Sequence, residues 1–176
     1  MMFLEGERVV LREVRASDVT DAYHAWMNDP EVTRFLEIRF VPHSKEDIAA
    51  YVERSRHDRT NVFLAIVRRE DGAHIGNVRL GAINWIHRTA ELALVIGEKS
   101  AWGRGYATET IALVVDYGFR VLNLHKVSAG CYGPNEGSIR AFLKAGFTEE
   151  ARRPQHFFSN GRYVDHVWLG IVNPNG

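Results

Sequence analysis

A single cysteine, Cys131, is all that this chain of 176 residues carries, so no internal disulfide can form and a reducing compartment is the expected setting. Charge of one sign is missing as well, since 22 basic residues are balanced by 22 acidic ones. A neutral chain gives no electrostatic case for nonspecific binding to DNA or to a membrane surface, so neither nucleic acid nor membrane is an expected partner. Long apolar runs are absent too. The start, MMFLEGERVVLREV, is charged within its first eight residues, so neither a signal peptide nor a membrane span is expected, and the cytoplasm is the expected location. Repeats, low-complexity tracts and Pro/Ser linkers are lacking. One domain over residues 1–176 follows, large enough to bury a core without staples. The eight histidines are dispersed without metal-ligand spacing, and no metal is expected.

What is present reads as alternating strands and helices. Glu7–Val14 alternates like a first strand. Ser17 and Asp18 read as the cap of a helix with Val19, Ala22, Tyr23 and Trp26 on its apolar face, ended by Asn28-Asp29-Pro30. Glu31–Pro42 is ambiguous, a short helix running into a loop. Ser44 with Asp47 three residues on forms a capping box for a helix burying Ile48, Tyr51 and Val52. Val62–Arg68 and His74–Asn84 read as strands joined at an Asp71-Gly72 turn. Trp85–Arg88 leads to a central strand at Ala90–Ile96. A helix begins near Ala107 and repeats Ile111, Val114, Val115, Gly118 and Phe119 on one face. Lys126–Cys131 is another strand. Beyond it comes a helix with Ile139, Phe142 and Leu143 inward, stopped at Gly146. Thr148–Ser159 and Tyr163–Ile171 close the chain as a hairpin around Asn160-Gly161. The fold class is α/β: a mixed, mostly antiparallel sheet with helices on both faces.

The centre of interest is Glu91–Arg120. Leu92–Ile96 suits a strand buried on both faces, and Gly97 and Trp102-Gly103-Arg104-Gly105-Tyr106-Ala107 turn it into the helix. A strand, a glycine turn and a helix start bare the unpaired N–H groups of the first helical turn. Gly103 and Gly105 remove the Cβ atoms that would hold a bulky anion off, so a phosphate or pyrophosphate is the expected guest. Other phosphate motifs fit poorly. The third glycine of the dinucleotide fingerprint is replaced by Thr108, and no Lys-Ser/Thr follows for a Walker A loop. A glycine turn that binds nothing is the bland alternative.

A second constellation, Asn135-Glu136-Gly137-Ser138 followed by Leu143-Lys144-Ala145-Gly146-Phe147, bears on that choice. With WGRGYATE, NLHKV and the upstream NDPEVTRF, in this order and spacing, the chain resembles the GNAT superfamily of acyl-CoA-dependent N-acetyltransferases, in its RimJ/RimL-like branch. The family's pyrophosphate turn is Gln/Arg-x-x-Gly-x-Gly/Ala, and Trp102 stands here at its first position. The resemblance implies a GNAT-like fold, acetyl-CoA as cosubstrate, and a cosubstrate site at Trp102, Gly103, Arg104, Gly105, Tyr106, Ala107 and Thr108. It implies that Leu94, Val95 and Ile96 pair with the pantetheine arm through their main chain, as an added strand does, and polarise the thioester carbonyl. Asn135 would bond the pantetheine and Ser138 would sit near the sulfur; a plain helix cap also explains Asn135. Arg140 and Lys144 read as solvated, with the nucleotide phosphates as their alternative partners.

The implied chemistry is direct attack of an amine on the thioester. A primary amine with a pKa near 10 is mostly ammonium at neutral pH, so a base is wanted. Many members of the superfamily place a tyrosine acid where this chain has Phe142, which carries no proton. Ser138 is then the acid candidate, or only orients the sulfur. Glu91 and Glu37 lead the base candidates, ahead of His87, Asp165 and His166, each of which also reads as a salt-bridged or solvent-facing residue. Cys131 reads as a small buried strand residue. For the acceptor, the run from Ile83 to Glu109 resembles transferases acting on nucleotide-linked amino sugars of surface-polysaccharide pathways, whose diphosphate Arg39, Arg79, Arg88 and Arg162 would meet. A small-molecule amine or amino sugar is the expected acceptor, and a protein N-terminus the alternative. A non-catalytic CoA-binding module is the reading from another class. The sequence is compatible with a homodimer and carries no signal that fixes the oligomeric state.

Overall fold

Alternation builds the sheet, and the computed structural model describes residues 3–175 of it. The strands are β1 (Leu4–Glu5), β2 (Val9–Glu13), β3 (Val62–Arg68), β4 (His74–Asn84), β5 (Thr89–Ile96), β6 (Lys126–Tyr132), β7 (Thr148–Ser159) and β8 (Arg162–Val172). They form one sheet in the order β1-β2-β3-β4-β5-β6-β8-β7. Every neighbouring pair is antiparallel except β5 with β6. The helices are α1 (Asp21–Asn28), α2 (Pro30–Thr33), α3 (Lys45–His57), α4 (Tyr106–Arg120) and α5 (Glu136–Lys144).

The period-2 pattern sorts side chains to two faces. On one, Leu80, Leu92, Val127 and Leu169 pack with Ile111, Val114 and Val115 of α4 and Phe142 of α5. On the other, Ala65 packs with Tyr23 and Trp26 of α1, Val32 of α2, and Ile48 and Val52 of α3. Each fully buried Leu or Ile contributes about 2 kcal/mol of transfer free energy. The second cluster lies over the first half of the sheet, so the corresponding face of β6 and β8 has no helix of the cluster above it.

Several expectations hold to the residue: β3, β4 and the capping box that opens α3, where Ser44 and Asp47 bond each other's backbone. Others are corrected. The cap of α1 is Thr20, whose side chain accepts from Tyr23 N, not Ser17 or Asp18. Asp18 ends a 3₁₀ turn instead and takes a bidentate pair from Arg12, both contacts at 2.7 Å. Burial pushes the Asp18 carboxyl up, but the bonds from Arg12 and Arg15 N more than offset this, and its pKa ends below the usual range. That sign means stability present above the ordinary carboxylate range and lost as pH falls through the lowered value. Asp18→Ala leaves Arg12 unpaired, and a loss of about 3 kcal/mol is expected in denaturant unfolding. Tyr51 and Leu143 are exposed rather than inward; Leu143 lies one residue, hence about 100°, past the buried Phe142. The ambiguous 31–42 segment is α2 followed by a 3₁₀ turn at Glu37–Phe40.

The largest correction concerns the central strand. Leu92–Ile96 is not buried on both faces: Ala93 is exposed and Leu94–Ile96 are half-buried. The cause is topological. The β5–β6 pairing holds only Thr89↔Lys126, Ala90↔Val127 and Glu91↔Ser128, after which the strands part.

Candidate active site

That parting creates an edge. Leu94, Val95 and Ile96 pair with β4 at Val78, Asn77 and Gly76, while no β6 residue is registered opposite them. A strand with one open edge is the condition for β-augmentation by an extended ligand. Part of the edge is already used: Trp102 Nε1 donates to Ile96 O at 2.7 Å, folding the turn back onto the strand end. Glu98 caps the 3₁₀ turn between them by accepting from Ser100 N. Lys99 pairs with Asp29 and Glu31 at 2.8 and 2.6 Å, fixing the turn to α2.

Gly103 and Gly105 have φ of 72° and 83°, and Gly105 is the N-cap of α4. Among the described residues, the N–H groups of Gly103, Arg104, Gly105, Tyr106, Ala107 and Thr108 take no protein acceptor. Unpaired amides at a helix N-terminus, with the dipole behind them, form an anion site. The pattern of glycines points to a turn of this shape. What it did not reveal is Arg8, ninety-six residues upstream of the turn. Arg8 Nη1 donates to Arg104 O at 2.7 Å, and Arg8 N donates to Glu109 Oε1 at 2.9 Å. A guanidinium thus braces the turn from below and adds positive charge there. Arg8→Ala is expected to weaken acetyl-CoA binding roughly tenfold, the worth of one charge-assisted contact; calorimetry measures it.

Beyond the parting point, Asn135 caps α5, its Oδ1 accepting from Ser138 N at 3.3 Å. Ser138 Oγ lies 3.5 Å from Cys131 Sγ. Burial pushes the Cys131 thiol up, which suits a structural residue and not a nucleophile. Phe142 is 2% exposed and packs edge-to-face on Phe147 at 5.0 Å. Arg140 pairs with Glu136 on the outside of α5.

On the opposite face, Glu91 stands at the last paired position, beside Ser128. It is exposed, and among the described residues it has no ion pair or side-chain hydrogen bond. Glu37 is placed elsewhere. Its carboxylate accepts from Tyr132 OH at the end of β6, four residues past Ser128, or about 13 Å along the strand. Arg39 donates to Tyr132 OH at 2.9 Å, to Leu36 O at 2.8 Å and to Phe158 O at 2.7 Å, so the 31–42 segment, β6 and β7 are tied together. Tyr132 stacks on Phe157 at 4.3 Å, and burial together with its bond to Glu37 raises its pKa. Nothing local in the sequence marks this cluster, because the partners of Tyr132 lie 93 and 95 positions away.

The remaining candidates scatter. His87 sits in the exposed β4–β5 turn. Asp165 accepts from Gln155 N at 3.2 Å, holding a bulge of β7. Arg88 donates to Asn123, and Arg79 lies against Gly81 beside Asn61. Only Arg39, of the four arginines named for a second diphosphate, joins the cluster around Tyr132.

An open strand edge leading to a helix N-terminus with unpaired amides suits an extended ligand that ends in an anion. Residues 8–148 match the family model described as acetyltransferase (GNAT) domain. The chain belongs to this family and is a GNAT-type N-acetyltransferase; acetyltransferases of this family use acetyl-CoA. It is 36% identical over 182 aligned positions, 98% of both chains, to the probable N-acetyltransferase YjcK of Bacillus subtilis. It is 39% identical over 101 positions, 57% of this chain and 54% of the other, to the spermidine N(1)-acetyltransferase of Escherichia coli. Among solved structures it resembles the spermidine N-acetyltransferase of Vibrio cholerae in complex with CoA and spermine, with a TM-score of 0.85, 27% identity, and 96% and 97% of the two chains covered.

Proposed function

We propose that the chain, as one transferase domain over residues 1–176, moves the acetyl group of acetyl-CoA to a primary amine of a small cationic molecule, a polyamine in first place. The observation that carries this is the parting of β5 and β6 just after Glu91, with open amides at one end and a free carboxylate on the far face. The amides of Gly103–Thr108 take the pyrophosphate, the open edge of Leu94–Ile96 takes the pantetheine arm, and Asn135 adds a donor from its amide nitrogen. Ser138 orients the sulfur. Glu91 and Glu37 are both exposed, one beside Ser128 and the other on Tyr132, positions about 13 Å apart along the β6 backbone, and they suit an acceptor with separated ammonium groups. Relatives named for spermidine support that class. A nucleotide-linked sugar would need its arginines gathered, and Arg79 and Arg88 are held elsewhere. The cytoplasm is the proposed location, and a homodimer is compatible with this role. Among the described residues no helix is long and apolar enough to cross a membrane.

The test is release of free CoA thiol with spermidine, spermine, a nucleotide-linked amino sugar and a peptide bearing a free N-terminus. The polyamines are expected to give the highest kcat/KM. Preference for the sugar or the peptide, the latter being the RimJ/RimL-like activity, overturns the acceptor class. No release with any amine points to a CoA-binding module without turnover.

A further inference from the structure

The amine must shed a proton on the face that Glu91 shares, and the groups there that could take it include Glu91, Glu37 and His166. We infer that His166, on β8, is the general base. The proposal rests on the assignment of the acetyl-CoA site above and adds the group that takes the acceptor's proton.

His166 is the cross-strand neighbour of Tyr132, and Gly130 lies beside it on β6, two residues past Ser128, where β5 has just left. A Cβ at position 130 would lie 2.7 Å from His166 Nε2. The imidazole therefore fills the space that any other residue at 130 would occupy, and its Nε2 stands over the β6 backbone beside the opening. The ring is held on every other side: stacked with His156 at 5.3 Å, tilted on Phe157 at 4.6 Å, edge-on to Trp168 at 5.5 Å. It is 6% exposed, yet Nδ1 is buried with no partner, and among the described residues Nε2 makes no protein hydrogen bond. Nδ1 is the buried nitrogen without a partner, while Nε2 is not among the buried unpartnered atoms and keeps access to the opening.

The charged and titratable neighbours are Arg153 and His156 from β7, and Tyr132 from β6, whose hydroxyl is committed to Glu37 and Arg39. Burial, then His156 and Arg153, depress the His166 pKa, so the ring is neutral at physiological pH and able to accept a proton. With its own proton on Nδ1, the ring takes one proton from the acceptor ammonium at Nε2 and later returns it to solvent. The amine lone pair then forms the C–N bond with the thioester carbon. On collapse the C–S bond breaks, its electron pair leaves on sulfur, and the sulfur takes the second N–H proton. Ammonium and thioester become amide, CoA thiol and one released proton.

Spermine serves as the amine probe. The wild-type kcat/KM is expected to rise with pH along a limb lying below the ordinary histidine value of about 6.5. His166→Gln should remove that limb and lower kcat about 100-fold with acetyl-CoA affinity unchanged, and Gly130→Ala, which displaces the ring, should move in the same direction. A surviving limb in His166→Gln, or its loss in Glu91→Gln instead, overturns the assignment. A second measurement needs no acceptor and no variant: imidazole NMR of the intact protein with CoA alone. The His166 ring should titrate low and shift when CoA is added; a ring titrating in the ordinary range and indifferent to CoA overturns it. If another amine is acetylated and spermine is not, the acceptor class fails, and the pH limb and the His166→Gln comparison are read with that amine instead.

Discussion

Gly105→Glu is expected to abolish measurable acetyl-CoA binding while leaving the fold intact. Gly105 sits at φ 83°, a left-handed conformation that costs a residue with a Cβ about 1–2 kcal/mol. The added Cβ would lie 2.7 Å from Arg8 Nη2. That atom ends a flexible side chain, so Arg8 can move, but only by giving up its bond to Arg104 O. The turn then loses its brace. The glutamate carboxylate adds the decisive term, because it offers the bared amides of Gly103–Thr108 an anion of their own and repels the incoming diphosphate. Strain, the lost brace and repulsion together put the expected rise in Kd above about 100-fold, or more than about 2.7 kcal/mol. Gly105→Ala carries only strain and displacement and should fall near tenfold. Calorimetric titration of both variants with acetyl-CoA, alongside thermal melts, reads the series. Unchanged affinity in Gly105→Glu would remove the diphosphate from this turn.

The glycine turn is also the part of the molecule most legible in the sequence. The turn could be read because its chemistry is local: two glycines, a strand before and a helix after. β3, β4 and α3 could be read for the same reason, from alternation, an Asp-Gly turn and a capping box. Asp18 could not, because its partner Arg12 lies in a strand and the pairing reverses the role that an Asp before a helix normally has. The half-exposure of Leu94–Ile96 was hidden too: an apolar run looks the same whether its neighbour strand continues or departs, and only the β5–β6 register decides. Arg8, Tyr132 and the seat of His166 over Gly130 depend on contacts between segments far apart in the chain. What sequence supplies at such positions is a candidate list, as with Glu91, Glu37 and His166; the topology ranks it.

Glu91→Gln is expected to slow the enzyme through its hold on the acceptor, and it separates attraction of the acceptor from proton transfer. Glu91 is exposed, carries no ion pair among the described residues, and stands at the last rung joining β5 to β6. A free carboxylate beside an opening stabilises an approaching ammonium through a charge-assisted hydrogen bond worth about 1.5–3 kcal/mol. Replacing it with an isosteric amide keeps the shape and removes the charge. For spermine the expected result is a fall in kcat/KM of roughly 10- to 100-fold, carried mainly by KM because the contact exists before the transition state. The loss should shrink at high salt, where the wild-type attraction is itself screened. Glu37→Gln should cost less with a short monoamine than with spermine, since its carboxylate is held at Tyr132, four residues farther along β6 than Ser128, and a long polycation is needed to meet both. A fall confined to kcat, equal for mono- and polyamines and insensitive to salt, would instead make Glu91 the proton acceptor and leave His166 a packing residue.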